Sequence, residues 1–506
     1  MYTFSIHKSG ITFTLTLLFL IIIISASVFR ISNGLNRFLA EEERINAPQV
    51  FAVIPKQPVL RALAKDALIY SHETDIFTKR EELIKKGNDF IFANLNDMSL
   101  DLYQKGELIK TFSIKAKGRE KTFFETPSGL YKIQSKETNH FSSIGEVWMP
   151  WSMHFFGNYF VHGWPYYPNG TPVADSYSGG CIRLTTQDAK ELFALTKNNI
   201  PILVYAQDGI QPDDATYFQK IPLFSRTKIK PNTIKNLSAI SALAADFETG
   251  QILFEKQKDA VLPVASLTKL MTGLVALESI DRFKILTVTN SAVETFGNTG
   301  KLTIGDTFKS QDLLYPLILA SSNDAATLYA QQVYGFIDIM NQKARAIGLN
   351  NTHYKEPTGL SPENVSTAQD LFRLLTFISI HKRPLFAVSG LPAYTLNTGK
   401  KNHTWKNTTW PDDKGIFIGG KSGLTDEARE TLAAAFTTKL SEQGTRPIAI
   451  ILLGSQDRKR DVLLITEYLE KNFVYGNVLV DKKAPPPSPL IHTGANVFQS
   501  LRMWVP

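Results

Sequence analysis

The hydrophobic pattern of the chain differs between a stretch that begins near Phe90 and one that begins near Ser238. This difference constrains the fold more than any other feature. From about Phe90 the apolar residues come in short runs such as FIFANL, LDLYQ, IKTFSI and IPILVY, which are typical of strands. From about Ser238 strand-like runs (ALAADF, QILFEK) alternate with longer patterns that are apolar on one helical face. We therefore predict a β-rich domain over residues 89–206, a linker over 207–237 and an α/β domain over 238–480.

The segments that flank these two domains carry their own signals. The run Ile11–Phe29 contains 19 residues without a charge, and a helix of this length, at about 1.5 Å per residue, nearly spans the roughly 30 Å hydrocarbon core of a bilayer. It exceeds the usual apolar core of a signal peptide, so we predict a retained transmembrane signal-anchor, while the small residues Ser25–Ser27 leave cleavage open. The remaining predictions are a cytoplasmic start over 1–10, a neck over 30–88 with a helix over Ala67–Lys86, and a proline-rich tail over 481–506.

Composition excludes several classes of protein. With 43% hydrophobic and 20% charged residues, the chain can bury sizeable cores and is not largely disordered. Its net charge of +8 comes without any nucleic-acid-binding motif, so no nucleic-acid partner is expected. A single cysteine excludes an intramolecular disulfide framework, an iron–sulfur cluster and a cysteine-based zinc site. The nine histidines show no metal-ligand spacing, so neither a metal nor a cofactor is expected.

The first candidate site surrounds that cysteine, Cys181. The stretch VHGWPYYPNGTPVADSYSGGCIRL places His162 upstream of it and Arg183 just after it. A cysteine nucleophile needs a base or a positive field to form a thiolate near neutral pH, and a histidine can supply either. From these residues alone, a small buried cysteine that only packs is the more common outcome.

The same stretch resembles the signature of the L,D-transpeptidase catalytic domain, in which His-Gly is followed after a loop by Ser-His-Gly-Cys-x-Arg. The segments TPSGLY and MPWSMHFFGNYFVHG extend the resemblance upstream. It implies that Cys181 is the nucleophile and His162 the base. It also implies substrate-binding and oxyanion roles for Gly163, Ser178, Gly179, Gly180 and Arg183. Gly179 stands where the family has a histidine, so His162 is the only histidine of the motif and the sequence does not show what fixes its tautomer.

The second candidate site is a serine with a lysine three residues later. In a helix these positions lie on one face, about 5–6 Å apart at Cβ, and a lysine kept neutral by burial can act as the base of the serine. Ser-x-x-Lys begins at Ser5, Ser225, Ser266 and Ser379. Only Ser266, with Lys269, opens a long amphipathic helix.

Two further motifs follow Ser266 in an order similar to that of penicillin-binding proteins and serine β-lactamases. They are Ser321-Ser322-Asn323 and Lys421-Ser422-Gly423, and the wider stretches PVASLTKLMTGLVALE, ASSNDAATLYA, AIGLNNTHYKEPTGL and GGKSGLTDEA resemble the D-alanyl-D-alanine carboxypeptidase branch. The resemblance implies that Ser266 forms an acyl-enzyme and that Lys269 activates it. The implied roles of the other residues are proton relay and amide binding for Ser321 and Asn323, attraction of the substrate carboxylate for Lys421, and substrate or oxyanion contacts for Ser422 and Gly423.

Together the two resemblances imply a multidomain protein with an N-terminal membrane helix, a β-rich L,D-transpeptidase domain and an α/β serine β-lactamase/carboxypeptidase-like domain. The implied function is bifunctional: the serine domain removes the terminal D-Ala from pentapeptide stems of peptidoglycan, and the cysteine domain uses tetrapeptides, through a thioester, to form L,D cross-links or anchors. Expected partners are stem peptides, β-lactams as covalent inhibitors and the membrane.

The expected location is the bacterial cell membrane, crossed once, with the catalytic domains facing the cell wall. Two alternatives stay open at this point. One is a trimming hydrolase with an inactive transpeptidase head. The other is a non-catalytic protein that binds the wall or senses β-lactams.

Overall fold

The computed structural model describes residues 72–174, 178–206, 222–226, 234–297, 300–398, 401–410, 416–441 and 444–477. The predicted signal-anchor and the proline-rich tail lie outside these residues, as does most of the neck. In the described part of the chain no helix is both long enough and apolar enough to cross a membrane. The membrane helix therefore stays a prediction.

The strands within the described ranges are β1 Phe90–Asn94, β2 Ser99–Gln104, β3 Glu107–Ser113, β4 Gly129–Lys132, β5 Ser135–Ser142, β6 Val147–Phe156, β7 Tyr159–His162, β8 Ile182–Arg183, β9 Pro201–Tyr205, β10 Pro222–Arg226, β11 Ser241–Asp246, β12 Ile252–Lys256, β13 Leu262–Pro263, β14 Ile285–Thr287, β15 Thr307–Lys309, β16 Val365–Ser366, β17 Ala393–Asn397, β18 Asn402–Lys406, β19 Phe417–Thr425, β20 Arg429–Ser441, β21 Gly444–Ser455 and β22 Phe473–Asn477. The α-helices there are α1 His72–Lys85, α2 Thr186–Leu195, α3 Thr268–Ser279, α4 Asn290–Val293, α5 Leu314–Ile318, α6 Asn323–Ala330, α7 Phe336–Ala346, α8 Ala368–His381, α9 Arg383–Gly390 and α10 Arg458–Asn472.

Two sheets and two helices form the β-rich part, which we call the cysteine domain (described residues between 72 and 206). One sheet has the strand order β3-β2-β1-β9-β4 and the other β5-β6-β7-β8. The pairs β1–β9 and β7–β8 are parallel. Alternating apolar side chains of both sheets, among them Ile91 and Phe155, are buried in one core, as the period of a strand requires. Helix α1 covers the outer face of the first sheet with Ile76 and Leu83, and it lies within the predicted helix.

The α/β part, which we call the serine domain (described residues 234–477), is built on the antiparallel sheet β12-β11-β21-β20-β19. Strand β11 sends Leu243 and Ala245 into the core on one face and Ala242 and Ala244 into the core on the other. Helix α10 covers the second face, and α3 lies in the first core. Because α3 is buried on nearly all sides, it is a central helix rather than a surface one.

Part of the predicted linker forms a strand. Strand β10 lies within residues 207–237 and pairs antiparallel with β22, so that Pro222 lies opposite Asn477 and Arg226 opposite Phe473. Strand β10 is short and is flanked by polar residues. Its partner is far away in the chain, and such a pairing leaves no local periodicity to detect.

The two domains meet through buried charges that the sequence did not indicate. Glu278, in the last turn of α3, lies 2.9 Å from Lys343 Nζ through its Oε2 and 3.3 Å from Lys382 Nζ through its Oε1. From the cysteine domain, the Tyr131 hydroxyl accepts a hydrogen bond from Lys343 Nζ at 2.9 Å and the Glu125 carbonyl accepts one from Lys382 Nζ at 3.0 Å. The neighbouring His381 Nδ1 lies 2.9 Å from Glu125 Oε1. We call this set the interdomain cluster: Glu125, Tyr131, Glu278, Lys343, His381 and Lys382, all buried.

We expect Lys343→Ala to lower the free energy of unfolding by about 3–5 kcal/mol, because it leaves the buried Glu278 carboxylate short of one of its two cations. Lys471→Ala is the matched control, since Lys471 pairs with Glu467 at 2.5 Å but the two side chains are 67% and 59% exposed, and such pairs contribute less than about 1 kcal/mol. Urea denaturation followed by tryptophan fluorescence measures both. Equal losses of unfolding free energy in the two variants would contradict a stabilising role for the Lys343–Glu278 pair.

Candidate active sites

Cys181 stands at the end of a glycine turn that leads into β8. Gly180 has φ +120°, and a Cβ there would lie 2.2 Å from Cε1 of Tyr159, so only glycine fits against that ring. Ser178 Oγ accepts a hydrogen bond from the Gly180 N–H at 3.2 Å and donates one to the Cys181 carbonyl at 2.5 Å. The turn is thus held from within by the serine that the motif contains.

Strand register places the candidate base on the same face as the cysteine. Strands β7 and β8 are parallel, with Val161 opposite Ile182 and His162 opposite Arg183. Because side chains alternate along a strand, Cys181 and Arg183 share a face of the sheet with His162. The pairing brings together two residues that are 19 positions apart in the sequence.

The tautomer of His162 is fixed by a main-chain carbonyl. Its Nδ1 lies 2.6 Å from the carbonyl oxygen of Gly163. A carbonyl only accepts, so Nδ1 carries the hydrogen and Nε2 keeps the lone pair that a base needs. Burial lowers the pKa of His162 to about 4, and the nearby Arg183 charge adds to this effect. The ring is therefore neutral at pH 7, and the main chain of Gly163 orients it in place of a second histidine.

The Cys181 thiol is neutral as well. Its Sγ donates a hydrogen bond to the main-chain oxygen of Asn158 at 3.7 Å. Although the residue as a whole is partly exposed, burial of the thiol raises its pKa to about 11. A neutral thiol beside a neutral imidazole has to lose its proton to the base during attack, instead of resting as an ion pair.

The other residues of the motif surround this pair. The Arg183 guanidinium lies 5.1 Å from the ring centre of Trp164 and is buried. The Gly163 N–H donates to the Pro150 carbonyl at 2.8 Å. A Cβ at Gly179 would have no atom within 4 Å, so this position borders open space. Trp164 and Asn158 were not predicted as site residues, because neither belongs to the motif.

Ser266 lies in the 3₁₀ turn Ala265–Leu267 that leads into α3. Lys269, one turn later and fully buried, places its Nζ 2.9 Å from Ser266 Oγ and donates to the Thr358 carbonyl at 2.6 Å. Ala265 has φ +49°, a strained conformation for a residue with a Cβ. Its carbonyl accepts a hydrogen bond from Thr268 Oγ1 at 2.8 Å. The turn is therefore held in place from both sides.

Burial lowers the pKa of Lys269 to about 7, and the negative charges of Glu356 and Asp324 limit the shift. A large fraction of the amine is neutral above that pH, and a neutral amine can take the serine proton. Neither carboxylate belongs to a predicted site residue. Both lie within the stretches AIGLNNTHYKEPTGL and ASSNDAATLYA, but their role depends on distances that only the folded chain provides.

The strand β19 runs directly beside the serine. A Cβ at Gly423 would lie 2.7 Å from the Ser266 nitrogen, which shows how close the two main chains are. Lys421 is fully buried and donates to the Ser422 carbonyl at 2.7 Å, while the Ser422 N–H donates to Thr409 Oγ1 at 3.3 Å. Burial, with the Lys269 charge second, holds the pKa of Lys421 well below its usual value. A substrate carboxylate beside it would restore its charge.

The Ser-x-Asn motif forms the beginning of α6. Ser321 has φ +58°, Ser322 caps the helix by accepting from the Ala325 N–H at 3.0 Å, and Asn323 is its first residue. The Asn323 side chain donates to the Phe296 carbonyl at 2.6 Å. The next residue, Asp324, lies outside the motif and is fully buried, and its negative charge raises the pKa of Lys269.

The loop that contains Glu356 and Gly359 packs against the main chain of Ser266. None of its residues was predicted as a site residue. Gly359 has φ +89°, and a Cβ there would lie 2.0 Å from the Ala265 carbonyl oxygen and 2.8 Å from the Ser266 nitrogen. Glu356 accepts hydrogen bonds from the main-chain N–H groups of Thr358 and Gly359 at 2.7 and 2.6 Å. The loop therefore supports the nucleophile and the carbonyl that binds Lys269.

Comparison with known proteins matches both halves of the chain. A family model described as D-alanyl-D-alanine carboxypeptidase matches residues 226–455, and one described as the L,D-transpeptidase catalytic domain matches residues 88–204. A D-alanyl-D-alanine endopeptidase of Pseudomonas aeruginosa is 34% identical over 256 residues, which covers 47% of this chain and 78% of that protein. The Escherichia coli endopeptidase of the same name is 34% identical over 232 residues, covering 42% and 71%. The crystal structure of a D-alanyl-D-alanine carboxypeptidase from Mycobacterium tuberculosis H37Rv is 24% identical with a TM-score of 0.43 and covers 48% of this chain and 94% of that one.

We expect the rate at which a penicillin acylates Ser266 to fall as the pH drops below about 7, where Lys269 becomes protonated. Once the pH is well below that pKa, the fall should be about tenfold per pH unit, because the neutral base disappears at that rate. A fluorescent penicillin and stopped gel samples measure it. Lys269→Arg keeps the positive charge but cannot lose its proton, so it should be slow at every pH. A rate independent of pH between about 5 and 8 would contradict the base assignment.

We expect alkylation of Cys181 by iodoacetamide to keep accelerating up to a pH of about 11, because only the thiolate reacts and burial raises the pKa of this thiol. The chain unfolded in urea is an internal control, since it has one cysteine and its rate should level off near pH 8.5, the ordinary value for cysteine at about 25 °C. Mass spectrometry of the labelled chain gives both rates. A native profile that levels off at or below the unfolded one would be inconsistent with a buried neutral thiol.

Proposed function

The chain belongs to the D-alanyl-D-alanine carboxypeptidase family and holds an L,D-transpeptidase catalytic domain in the same polypeptide, and from this premise we propose that it is a bifunctional enzyme of peptidoglycan stem peptides. The serine domain removes the terminal D-Ala of a pentapeptide stem, and the cysteine domain transfers the resulting tetrapeptide stem to an acceptor amine. The observation that supports this proposal is that each nucleophile has a neutral base: Lys269 Nζ lies 2.9 Å from Ser266 Oγ, and His162, with its tautomer fixed, shares a face with Cys181.

In the serine domain, Ser266 Oγ attacks the carbonyl of the penultimate D-Ala while Lys269 takes the hydroxyl proton. Lys421 binds the terminal carboxylate of the stem, and Asn323 holds the peptide amide. The proton then passes through Ser321 to the amine of the leaving D-Ala. Water hydrolyses the acyl-enzyme, with Lys269 again acting as the base. The main-chain N–H of Ser266 and a strand N–H after Gly423 stabilise the oxyanion.

In the cysteine domain, Cys181 Sγ attacks the carbonyl that precedes the terminal D-Ala of a tetrapeptide. His162 Nε2 takes the thiol proton and passes it to the amine of the leaving D-Ala, which leaves a thioester. An acceptor amine attacks this thioester, the amide bond forms, and the thiol is regenerated when the proton returns to sulfur. Main-chain N–H groups of the turn after Ser178 stabilise the oxyanion, and Arg183 orients the substrate. The product of the first centre is therefore the donor for the second.

A second candidate reaction for the serine domain is endopeptidase cleavage of D-alanyl cross-links. It is favoured by the names of the Pseudomonas and Escherichia relatives, which are both D-alanyl-D-alanine endopeptidases. The same serine, lysine and strand would act on the peptide bond. Both reactions begin with the same acyl-enzyme, and they differ in whether the leaving amine belongs to a free D-Ala or to a second stem.

We also propose that the predicted segment Ile11–Phe29 anchors the protein in the bacterial cell membrane, with both catalytic domains facing the wall. The support is the uncharged length of this segment together with the substrate proposed above, which lies outside the cytoplasm.

Mass spectrometry of defined muropeptides tests the bifunctional reading. The purified chain should convert a pentapeptide to a tetrapeptide and, with an acceptor amine present, convert the tetrapeptide to a product joined to that amine. Cys181→Ala should stop at the tetrapeptide, because only the thioester step is lost. Ser266→Ala should leave the pentapeptide intact but still consume supplied tetrapeptide.

Other outcomes reject parts of the proposal. If tetrapeptide loses D-Ala but never joins the acceptor, the cysteine domain trims stems and does not transfer them. A cross-linked dimer that is cleaved faster than the pentapeptide would favour the endopeptidase reaction. If neither pentapeptide, tetrapeptide nor dimer changes, the enzymatic proposal fails.

A further inference from the structure

The turn between β6 and β7 contacts Cys181 and the carboxyl end of helix α3 through a single residue. The main-chain oxygen of Asn158 accepts the hydrogen bond of Cys181 Sγ at 3.7 Å, and its main-chain N–H donates to the Glu278 carbonyl at 3.1 Å. Glu278 lies in the last turn of the helix whose first turn holds Lys269. Carbonyls in the last turn of a helix have no partner inside the helix. The cysteine domain supplies that partner.

The contact is between main chains, with no room for a side chain. Gly157 has φ +50°, and a Cβ there would lie 2.3 Å from the Glu278 carbonyl oxygen. A methyl group at this position would therefore have to push the turn away from the helix end. Because Asn158 is the next residue, the carbonyl that holds the Cys181 thiol would move with it.

The helix end is itself held by the interdomain cluster. The Glu278 carboxylate is buried between Lys343 and Lys382, and these two lysines are bonded to Tyr131 and to the Glu125 carbonyl of the cysteine domain. Moving one domain against the other would break the hydrogen bonds that these two buried lysines donate to Tyr131 and to the Glu125 carbonyl, and an unsatisfied buried donor is costly. The position of Glu278 relative to the cysteine domain is therefore firmly set.

A second set of contacts leads to the same nucleophile. Lys382 Nζ lies 5.8 Å from the ring centre of Tyr159, within the range of a cation–π interaction. The Tyr159 ring in turn fills the space beside Gly180, where a Cβ would be 2.2 Å from it. The residue on each side of the thiol, Gly180 in the turn and Asn158 across from it, is thus held by groups that the serine domain contacts.

We propose that Gly157 and Glu278 are positioning residues for Cys181. The carboxyl end of helix α3 holds the turn whose Asn158 carbonyl accepts the hydrogen bond of the thiol. The cysteine centre then has its working geometry only when it is docked on the serine domain, even if Ser266 itself is inactive. This inference rests on the proposed function, in which Cys181 is the nucleophile. It adds that the two centres are parts of one structural unit.

The experiment compares Gly157→Ala with Gly87→Ala in the full chain. Gly87 is a matched control, because its φ is +64° but a Cβ there would have no atom closer than 3.6 Å. Two quantities are measured: kcat and KM for tetrapeptide transfer, and the pH profile of Cys181 alkylation by iodoacetamide. The rate of penicillin acylation at Ser266 reports on the folding of the serine domain.

For Gly157→Ala we expect kcat to fall by about 10²-fold with little change in KM, the cost of misplacing a reacting group by about 1 Å. The midpoint of the alkylation profile should also move down, because burial is what raises the pKa of this thiol and displacing the turn would open the thiol to water. Gly87→Ala should match the wild type in both. If Gly157→Ala, with normal penicillin acylation, has the kcat and the alkylation profile of Gly87→Ala, the proposal is overturned.

Glu278→Gln decides the question if Gly157→Ala does not fold. It keeps the main-chain carbonyl and the size of the side chain but removes the charge that pairs with two lysines, so kcat for transfer should fall by about tenfold. Glu430→Gln is its control, because Glu430 pairs with Arg458 at 3.2 Å away from the interdomain cluster. Equal kcat values for these two variants would overturn the proposal. If the wild type transfers no tetrapeptide, the proposed function fails, while the alkylation profiles still decide whether Glu278 positions the thiol.

Discussion

The buried Glu278 carboxylate, paired with Lys343 and Lys382, is the interaction on which the arrangement of the two centres depends. Carboxylates are almost never fully buried without a partner, and here the partners are themselves bonded to Tyr131 and Glu125 of the other domain. The contact is therefore specific in direction as well as in position. Apolar packing alone would allow the domains to slide, whereas here sliding would break the hydrogen bonds that the buried Lys343 and Lys382 donate across the interface.

Burial also explains how both nucleophiles obtain a base. Removing a group from water disfavours its charged form, and this lowers the pKa of Lys269 to about 7 and that of His162 to about 4, while it raises the pKa of Cys181 to about 11. Each base is thus available in its neutral form near pH 7. The two bases differ in how far their pKa lies from pH 7. The pKa of Lys269 stays near 7 because Glu356 and Asp324 counteract the effect of burial, whereas His162 remains neutral to much lower pH.

Much of the fold followed from local pattern. The runs FIFANL and IPILVY are strands β1 and β9, and the helix predicted to open at Ser266 is present from Thr268. The strand β10 was not predicted, because its stability comes from pairing with β22 and not from its own periodicity. The interdomain cluster was not predicted from the sequence for a similar reason. Glu278 reads as a polar residue near the end of an apolar helix, and only the packing of α7 and α8 around it reveals a buried ion pair.

By itself the sequence determined the identity and order of the two candidate motifs, because the residue types around Cys181 and Ser266 can be read directly from the chain. The tertiary structure decided which groups orient and tune them. The Gly163 carbonyl fixes the tautomer of His162, and Asn158 joins the Cys181 thiol to the helix of Ser266. These are main-chain contacts between distant segments. Every residue type except proline carries the same main-chain N–H and C=O groups, so a sequence holds no sign of which of them will meet.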